Sequence, residues 1–227
     1  MFARNGRWYD GHAQVFIGLS DREALEMGLY PSVTTILNLI HRPALDRWLH
    51  TQVAKAAQIV HRSDYPTESE WIRAVEREAD AEAFKARQRG LLAHSDLGSL
   101  VEQVYPPGSF MITTPAPPRV STTYRFGGQA DGIIEFPNEP PLLVELKTTS
   151  RVPPVIYREH ILQLGAYCCL YQVNRGVFII LSKDNNVLAQ ETDSQLIREA
   201  METFLLLTKF WWRYTEIHKP IDLGHEG

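Results

Sequence analysis

Residues 128–148 decide the fold: Gly128-Gln129-Ala130-Asp131-Gly132-Ile133-Ile134-Glu135-Phe136, a turn Pro137-Asn138-Glu139-Pro140-Pro141, then Leu142-Leu143-Val144-Glu145-Leu146-Lys147-Thr148. Two apolar runs rich in β-branched residues, separated by a Pro/Asn turn, read as neighbouring strands. On the second, side chains two apart share a face, so Glu145 and Lys147 point the same way. Leu142, Leu143, Val144 and Leu146 around them suit a central strand. A carboxylate and an ammonium on such a strand are costly unless they meet a partner, a metal or water. Pairing of the two strands brings Asp131 alongside Glu145, and two converging carboxylates make a hard oxygen site of the kind Mg²⁺ or Mn²⁺ prefers. The competing reading puts Glu145 and Lys147 on the solvated face of an amphipathic strand.

Working outward, residues 120–126 and 130–136 around Gly127-Gly128 read as a β-hairpin. Residues 142–148 give the third strand, 155–172 a helix, 176–181 and 187–192 two more strands, and 194–218 a long closing helix. Upstream the period changes. Residues 7–9 and 15–17 flank a turn-like Asp10-Gly11, and residues 30–37 read as a loop ending in a cap, with Ser32 as N-cap. Residues 43–62 carry apolar side chains at helical spacing, and 67–89 form a polar helix with a thin apolar stripe. Gly90 interrupts that helix and 91–104 begins another. The Pro-rich stretch 105–118 cannot continue a helix and marks the main composition shift. The order is helices first, then ββ-β-α-β-β-α, which is an α/β or α+β domain with a mixed sheet.

Two further groups accompany the carboxylates. His94 falls within a stripe of Leu91, Leu97, Val101 and Val104, where it is either a core histidine bonded to backbone or an inward imidazole meeting the carboxylate pair. Gly90 would let another element approach closely there. Gln163 and Tyr167 lie four apart on one helix face. They either make helix–sheet hydrogen bonds or reach the end of the sheet that carries Lys147.

Composition bounds the function. The 227 residues hold 23 Lys+Arg against 27 Asp+Glu, a formal net charge of −4, which argues against a generic nucleic-acid coat but not against a local basic groove. With 44% hydrophobic residues the chain builds a sizeable core, so disorder is excluded as its main state. No apolar run approaches the ~20 residues of a membrane span, and Met1 to Arg7 lacks the apolar stretch of a secretory signal. A cytoplasmic location without membrane association is therefore expected. The two cysteines, Cys168 and Cys169, are adjacent and cannot supply a four-thiolate iron–sulfur cluster. No dinucleotide fingerprint, P-loop or nucleophile elbow is present.

Together these residues resemble the PD-(D/E)xK nuclease superfamily, and within it the RecB-like exonucleases. That pattern is Gly-x-x-x-His on a helix, Asp on a strand, (Asp/Glu)-x-Lys on the next, then Gln-x-x-x-Tyr. Here it reads Gly90 to His94, Asp131, Glu145-Leu146-Lys147 and Gln163 to Tyr167, in order. Pro31-Ser32-Val33-Thr34-Thr35-Ile36-Leu37 is similar to the N-terminal motif of phage exonucleases and of the mitochondrial genome maintenance exonuclease, as are Gly128-x-x-Asp131 and Leu146-Lys147-Thr148. The acid before Leu146 is Glu, which the superfamily pattern allows.

The resemblance implies a restriction-endonuclease-like core: an α/β fold with a central mixed sheet flanked by helices. It would occupy residues 90–227, behind an N-terminal hairpin and helical layer over 1–89, in a single nuclease domain. It implies one or two Mg²⁺ or Mn²⁺ ions on His94, Asp131, Glu145 and the Leu146 carbonyl, with Lys147 acting on the attacking water. Gln163 and Tyr167 would orient the strand or the lysine, and Ser32, Thr34 and Thr148 would contact the substrate. For Ser32, helix capping and DNA contact stand as equal readings. Trp8, Tyr9, Trp48 and Tyr65 are candidates for stacking on unpaired bases or for core packing, and Trp211-Trp212 for packing. The implied activity is hydrolysis of DNA from single-stranded or flap ends, in a bacterium or a phage-infected cell, during recombination, repair or phage replication. A recombination or single-strand-binding protein would be its partner. An endonuclease or RNase using the same site, and a binding protein of the same fold without turnover, are the alternatives.

Overall fold

The computed structural model describes residues 6–10, 15–19, 27–149, 154 and 156–217. Its centre is a five-stranded mixed sheet in the order β10-β9-β8-β7-β4, formed by β4 (Met111–Thr113), β7 (Gly132–Glu135), β8 (Leu142–Thr149), β9 (Gly176–Ser182) and β10 (Val187–Thr192). Strands β8 and β9 run parallel across helix α4 (Arg158–Tyr171), and every other neighbouring pair is antiparallel. A parallel pair needs such a crossover, and the helix within it covers one face of the sheet.

Alternation along β8 divides two cores. Leu142, Val144 and Leu146 face a cluster with Ala93, Leu97, Leu100 and Val101, from the end of helix α2 (Glu68–Ser95) and from α3 (Leu97–Glu102). Leu143 faces the opposite layer, built from α1 (Val33–Ile59), α4 and α5 (Ser194–Ile217) through Ile36, Leu37, Leu164, Cys168, Ile197 and Phe204. The expected α/β architecture, a mixed sheet flanked by helices, is present. Among the described residues no helix is long and apolar enough to cross a membrane.

Several boundaries differ from the sequence reading. The separate helix over 43–62 is part of α1, which starts at Val33 directly behind its cap. There the Ser32 hydroxyl accepts from the Thr35 N–H at 3.1 Å, and the i, i+3, i+4 trio Val33, Ile36 and Leu37 is buried. Gly90 does not interrupt α2. One glycine costs a helix about 1 kcal/mol, too little to break 28 residues whose Val75 and Ala79 pack on Ala56 of α1. The break falls at Asp96.

The hairpin also closes elsewhere. Strand β5 (Arg119–Ser121) pairs with β6 (Phe126–Gly128), so Gly127-Gly128 lies in a strand, and the turn is residues 122–125 with Arg125 at φ 59°. Strand β7 pairs instead with β8 and with β4, a strand inside the Pro-rich stretch that the sequence reading left without structure. At the N-terminus β1 (Gly6–Asp10) pairs with β2 (Val15–Leu19) and with β3 (Tyr30–Pro31), and Ser32 forms a parallel bridge to Gly127. The side chains of Trp8, Tyr9 and Trp48 lie outside the described residues.

Candidate active site

Strand β8 is the middle of the sheet, and Glu145 is the fourth of five consecutive buried residues in it, only 2% exposed. The solvated-face reading is therefore overturned. Lys147, two residues on, leans back over the same face. Its Nζ donates to Glu145 Oε1 at 2.7 Å and to Gln163 Oε1 of α4 at 3.0 Å. The Gln163 amide in turn stands 3.4 Å from the Tyr167 hydroxyl. Crossover helix α4 thus carries the two residues that steady the lysine, because four-residue spacing keeps both on its sheet-facing side. Burial pushes the Tyr167 hydroxyl well above its ordinary range, with the nearby Glu145 charge adding to it, so it stays a neutral phenol.

Asp131 stands one residue before β7, at the point where β7 leaves β8. The register Gly132 opposite Val144 continues to place Asp131 opposite Glu145. Asp131 Oδ2 accepts from the Leu146 N–H at 2.7 Å, a backbone donor that no strand residue takes up there. Its Oδ1 lies 3.1 Å from His94 Nε2, and His94 Nδ1 lies 2.7 Å from the Gly90 carbonyl. Both ring nitrogens therefore face acceptors, an arrangement that suits the imidazolium. The Asp131 hydrogen bond is the main cause that raises His94 to about 9, against the opposing effect of burial. His94 is half-exposed at the rim, so the core-histidine reading fails, and of its expected stripe Leu97 and Val101 are buried while Leu91 is 65% exposed. Among the described residues no other element approaches Gly90; a Cβ built there meets nothing within 4 Å beyond its own stretch of helix.

Glu145 is the electrostatic oddity of the site. Burial pushes its carboxyl up to about 7, the Lys147 ammonium opposes this, and the Asp131 charge adds to it. Its Oε2 is buried with no hydrogen-bond partner among the described residues. A buried oxygen of that kind normally finds one. Among the described residues no three His, Cys, Asp or Glu side chains stand as a ready-made metal cage. Mg²⁺ seldom uses such a cage; it keeps several waters and takes one or two carboxylates together with substrate phosphate. An unpartnered Glu145 oxygen beside the Asp131 carboxylate fits that coordination.

Ser32 is buried, with its hydroxyl spent on the Thr35 N–H and within 3.0 Å of the Thr34 and Thr35 hydroxyls, which is the capping role. Thr34 is exposed on the first turn of α1, and Thr148 is half-buried near the end of β8. Tyr65 lines an open groove of about 590 Å³ in which Glu70, Glu76 and Asp80 outnumber Arg73 and Arg77, an unfavourable lining for a polyanion. Trp211 is buried, and the Trp212 indole donates to the Arg125 carbonyl under the Arg125 guanidinium, 3.7 Å from the ring centroid. These two tryptophans pack, as the sequence reading expects.

Two residues that the sequence reading passed over hold Asp131 in place. The Thr114 hydroxyl donates to the Asp131 carbonyl at 3.0 Å, and the Tyr171 hydroxyl accepts from the Ala130 N–H at 3.3 Å. The signal for Tyr171 was available: it continues the Gln163, Tyr167 spacing by one more turn.

No family model matches the chain, and no curated protein matches its sequence. Among solved structures it is similar to the crystal structure of SSO0001, at 20% identity and a TM-score of 0.38, over 72% of this chain and 86% of that one. It is also similar to an alkaline exonuclease, LHK-Exo from Laribacter hongkongensis, at 15% identity and a TM-score of 0.39, over 75% of this chain and 96% of that one. The same exonuclease in complex with dAMP gives 14% identity and a TM-score of 0.41, with the same coverage. At TM-scores this low the likeness carries no functional argument.

Proposed function

We propose that the chain is a divalent-metal-dependent deoxyribonuclease acting from free DNA ends. The observation that carries this reading is the buried Glu145, with one oxygen on Lys147 and the other unpartnered, beside Asp131 at the end of the central strand. Structural roles do not account for it: a buried carboxylate without a full set of partners destabilises the fold that contains it. The order of motifs from Gly90 to Tyr167 supports the same chemistry.

Asp131, Glu145 and the Leu146 carbonyl are the groups that would hold one or two Mg²⁺ or Mn²⁺ ions, joined by His94 only once it gives up the proton it shares with Asp131. Such an ion supplies Lewis-acid polarisation of the phosphodiester and a more acidic bound water. The protein's own groups do the rest. Gln163 holds the Lys147 ammonium over the face that carries Glu145, where it orients the attacking water and offsets negative charge developing on the phosphate. Tyr167 keeps the Gln163 amide turned so that its oxygen, not its nitrogen, meets the lysine. Asp131 draws on the Leu146 N–H to hold its carboxylate in one rotamer. The preference for DNA and for ends rests on the likeness of the Pro31 to Leu37 and Leu146 to Thr148 segments to exonuclease motifs.

The test is digestion of end-labelled linear single-stranded and duplex DNA beside a covalently closed circle, with Mg²⁺, Mn²⁺ or EDTA. Metal-dependent loss of linear DNA alone is expected, with Lys147→Ala slower by about 10²–10³-fold. Cleavage of the circle moves the reading to an endonuclease. Binding of DNA with no cleavage under any ion moves it to a binding protein.

A further inference from the structure

Helix α4 carries a third polar residue in line with Gln163 and Tyr167, and it points at the other half of the site. The Tyr171 hydroxyl donates to the Pro117 carbonyl at 2.6 Å and accepts from the Ala130 N–H at 3.3 Å, so it ties together two chain segments that flank Asp131. Those segments are also pinned to each other. The Ala116 N–H donates to the Ala130 carbonyl at 3.3 Å, and the Gln129 amide donates to the Ala116 carbonyl at 3.0 Å. The Arg119 guanidinium stands 6.0 Å from the Tyr171 ring centroid and covers it from outside. Burial pushes the phenol above its ordinary range, so it remains able to donate and accept together.

The helix that bears Tyr171 has little freedom to shift. A Cβ on Gly165 would stand 2.7 Å from Ala200 Cβ, which shows how closely α4 lies on α5, and Leu164, Ala166 and Cys168 are fully buried. Gln163 fixes Lys147 from the middle of this helix, and Tyr171 fixes the residue before Asp131 from its C-terminal end. We infer that Tyr171 is a positioning residue for the Asp131 carboxylate, so that α4 sets where the acid and the lysine stand relative to one another. Its consequence for metal binding rests on the nuclease reading above; the positioning itself does not.

Tyr171→Phe keeps the ring and removes the bridge. In the metal-free protein the reporter is the Leu146 amide, which donates to Asp131 Oδ2 at 2.7 Å. Its hydrogen exchange, followed by NMR, is expected to quicken several-fold in Tyr171→Phe while Val177 and Ile179 in the neighbouring strand keep wild-type rates. Thr114→Val, which removes the separate bond to the Asp131 carbonyl, is expected to quicken the same amide and serves if Tyr171→Phe does not fold. Ile197→Val, a core truncation on α5, controls for general loosening. Mn²⁺ affinity read by electron paramagnetic resonance is expected to fall about tenfold in Tyr171→Phe, with KM for DNA unmoved. Unchanged Leu146 exchange, or an equal change in Ile197→Val, overturns the inference. A quickened Leu146 amide in a protein whose wild type binds no Mn²⁺ would leave the positioning standing and refute the nuclease reading.

Discussion

Glu145→Gln is expected to stabilise the metal-free protein, and increasingly so as pH rises. Burial lifts this carboxyl from the ordinary 4.5 to about 7 in the folded chain. A raised pKa means that the folded state prefers the protonated form. The associated stability is full below 4.5 and is lost as pH rises through about 7. At about 1.36 kcal/mol per pH unit, ionising Glu145 costs the fold about 1 kcal/mol near pH 5 and about 3 kcal/mol near pH 8. Glutamine copies the neutral acid, keeps an oxygen for Lys147 and escapes the penalty. Urea unfolding of both proteins in EDTA, near pH 5 and near pH 8, measures the gap, to which His94 adds little because the Glu145 charge is the smallest of the causes acting on it. A gap that fails to widen with pH, or a variant less stable than wild type near pH 8, would refute the argument that Glu145 is buried without adequate partners. Adding Mn²⁺ near pH 8 should then stabilise wild type more than the variant, which keeps Asp131 but lacks the Glu145 carboxylate, because a ligand stabilises in proportion to how tightly it binds.

Three other substitutions test the frame around that acid. His94 owes its raised pKa of about 9 first to Asp131, so the stability from this pair is complete below 6.5 and is lost as pH rises through about 9. His94→Gln should flatten the metal-free stability profile over that window, and an unchanged slope would count against the pair. Gly90→Ala adds a Cβ that meets nothing within 4 Å in mid-helix, and should raise stability by about 1 kcal/mol in thermal melts; a loss would mean that the helix is not continuous there. Gly128→Ala places a Cβ 2.8 Å from Tyr167 Cε1, 2.9 Å from Leu170 Cδ1 and 3.0 Å from Val33 Cγ2. Overpacking at that point should cost about 1–3 kcal/mol and slow hydrolysis by disturbing Tyr167, and a neutral effect on both would show that these side chains give way freely.

What the sequence made legible follows the period of its elements. Strand β8 announced itself because Glu145 and Lys147 interrupt an apolar run at a spacing of two, and alternation then assigned both to one face before any partner was known. The row Gln163, Tyr167 was legible for the same reason at a spacing of four. Boundaries were less so. Gly90 reads locally as a helix breaker, yet the packing of Val75 and Ala79 on α1 outweighs its propensity. Gly127-Gly128 reads as the closing turn of a hairpin, but Val33, Tyr167 and Leu170 crowd Gly128, so the glycine serves close approach inside a strand. Strand β4 was hidden because three residues among prolines carry no period of their own; pairing with β7 makes them a strand.

The position of Asp131 was the least legible feature of the candidate site, although the residue itself was easy to single out. Asp131 is held by four groups: the His94 imidazole and the Leu146 N–H on its carboxylate, the Thr114 hydroxyl on its backbone carbonyl and, through Ala130, the Tyr171 phenol. They come from α2, from the end of β4, from β8 and from α4, and none lies within ten residues of Asp131 in the chain. A local pattern cannot encode such convergence, because each contact exists only once the sheet and its crossover helix are in place. Each Asp131 carboxylate oxygen has a partner, whereas Glu145 beside it keeps a buried oxygen with none among the described residues. A fold that satisfies one carboxylate so completely and leaves its neighbour unsatisfied at about 3 kcal/mol near neutral and higher pH stores that free energy where a cation would recover it. The asymmetry between the two acids is therefore a physical reason to expect that metal binding and folding stability are linked in this chain.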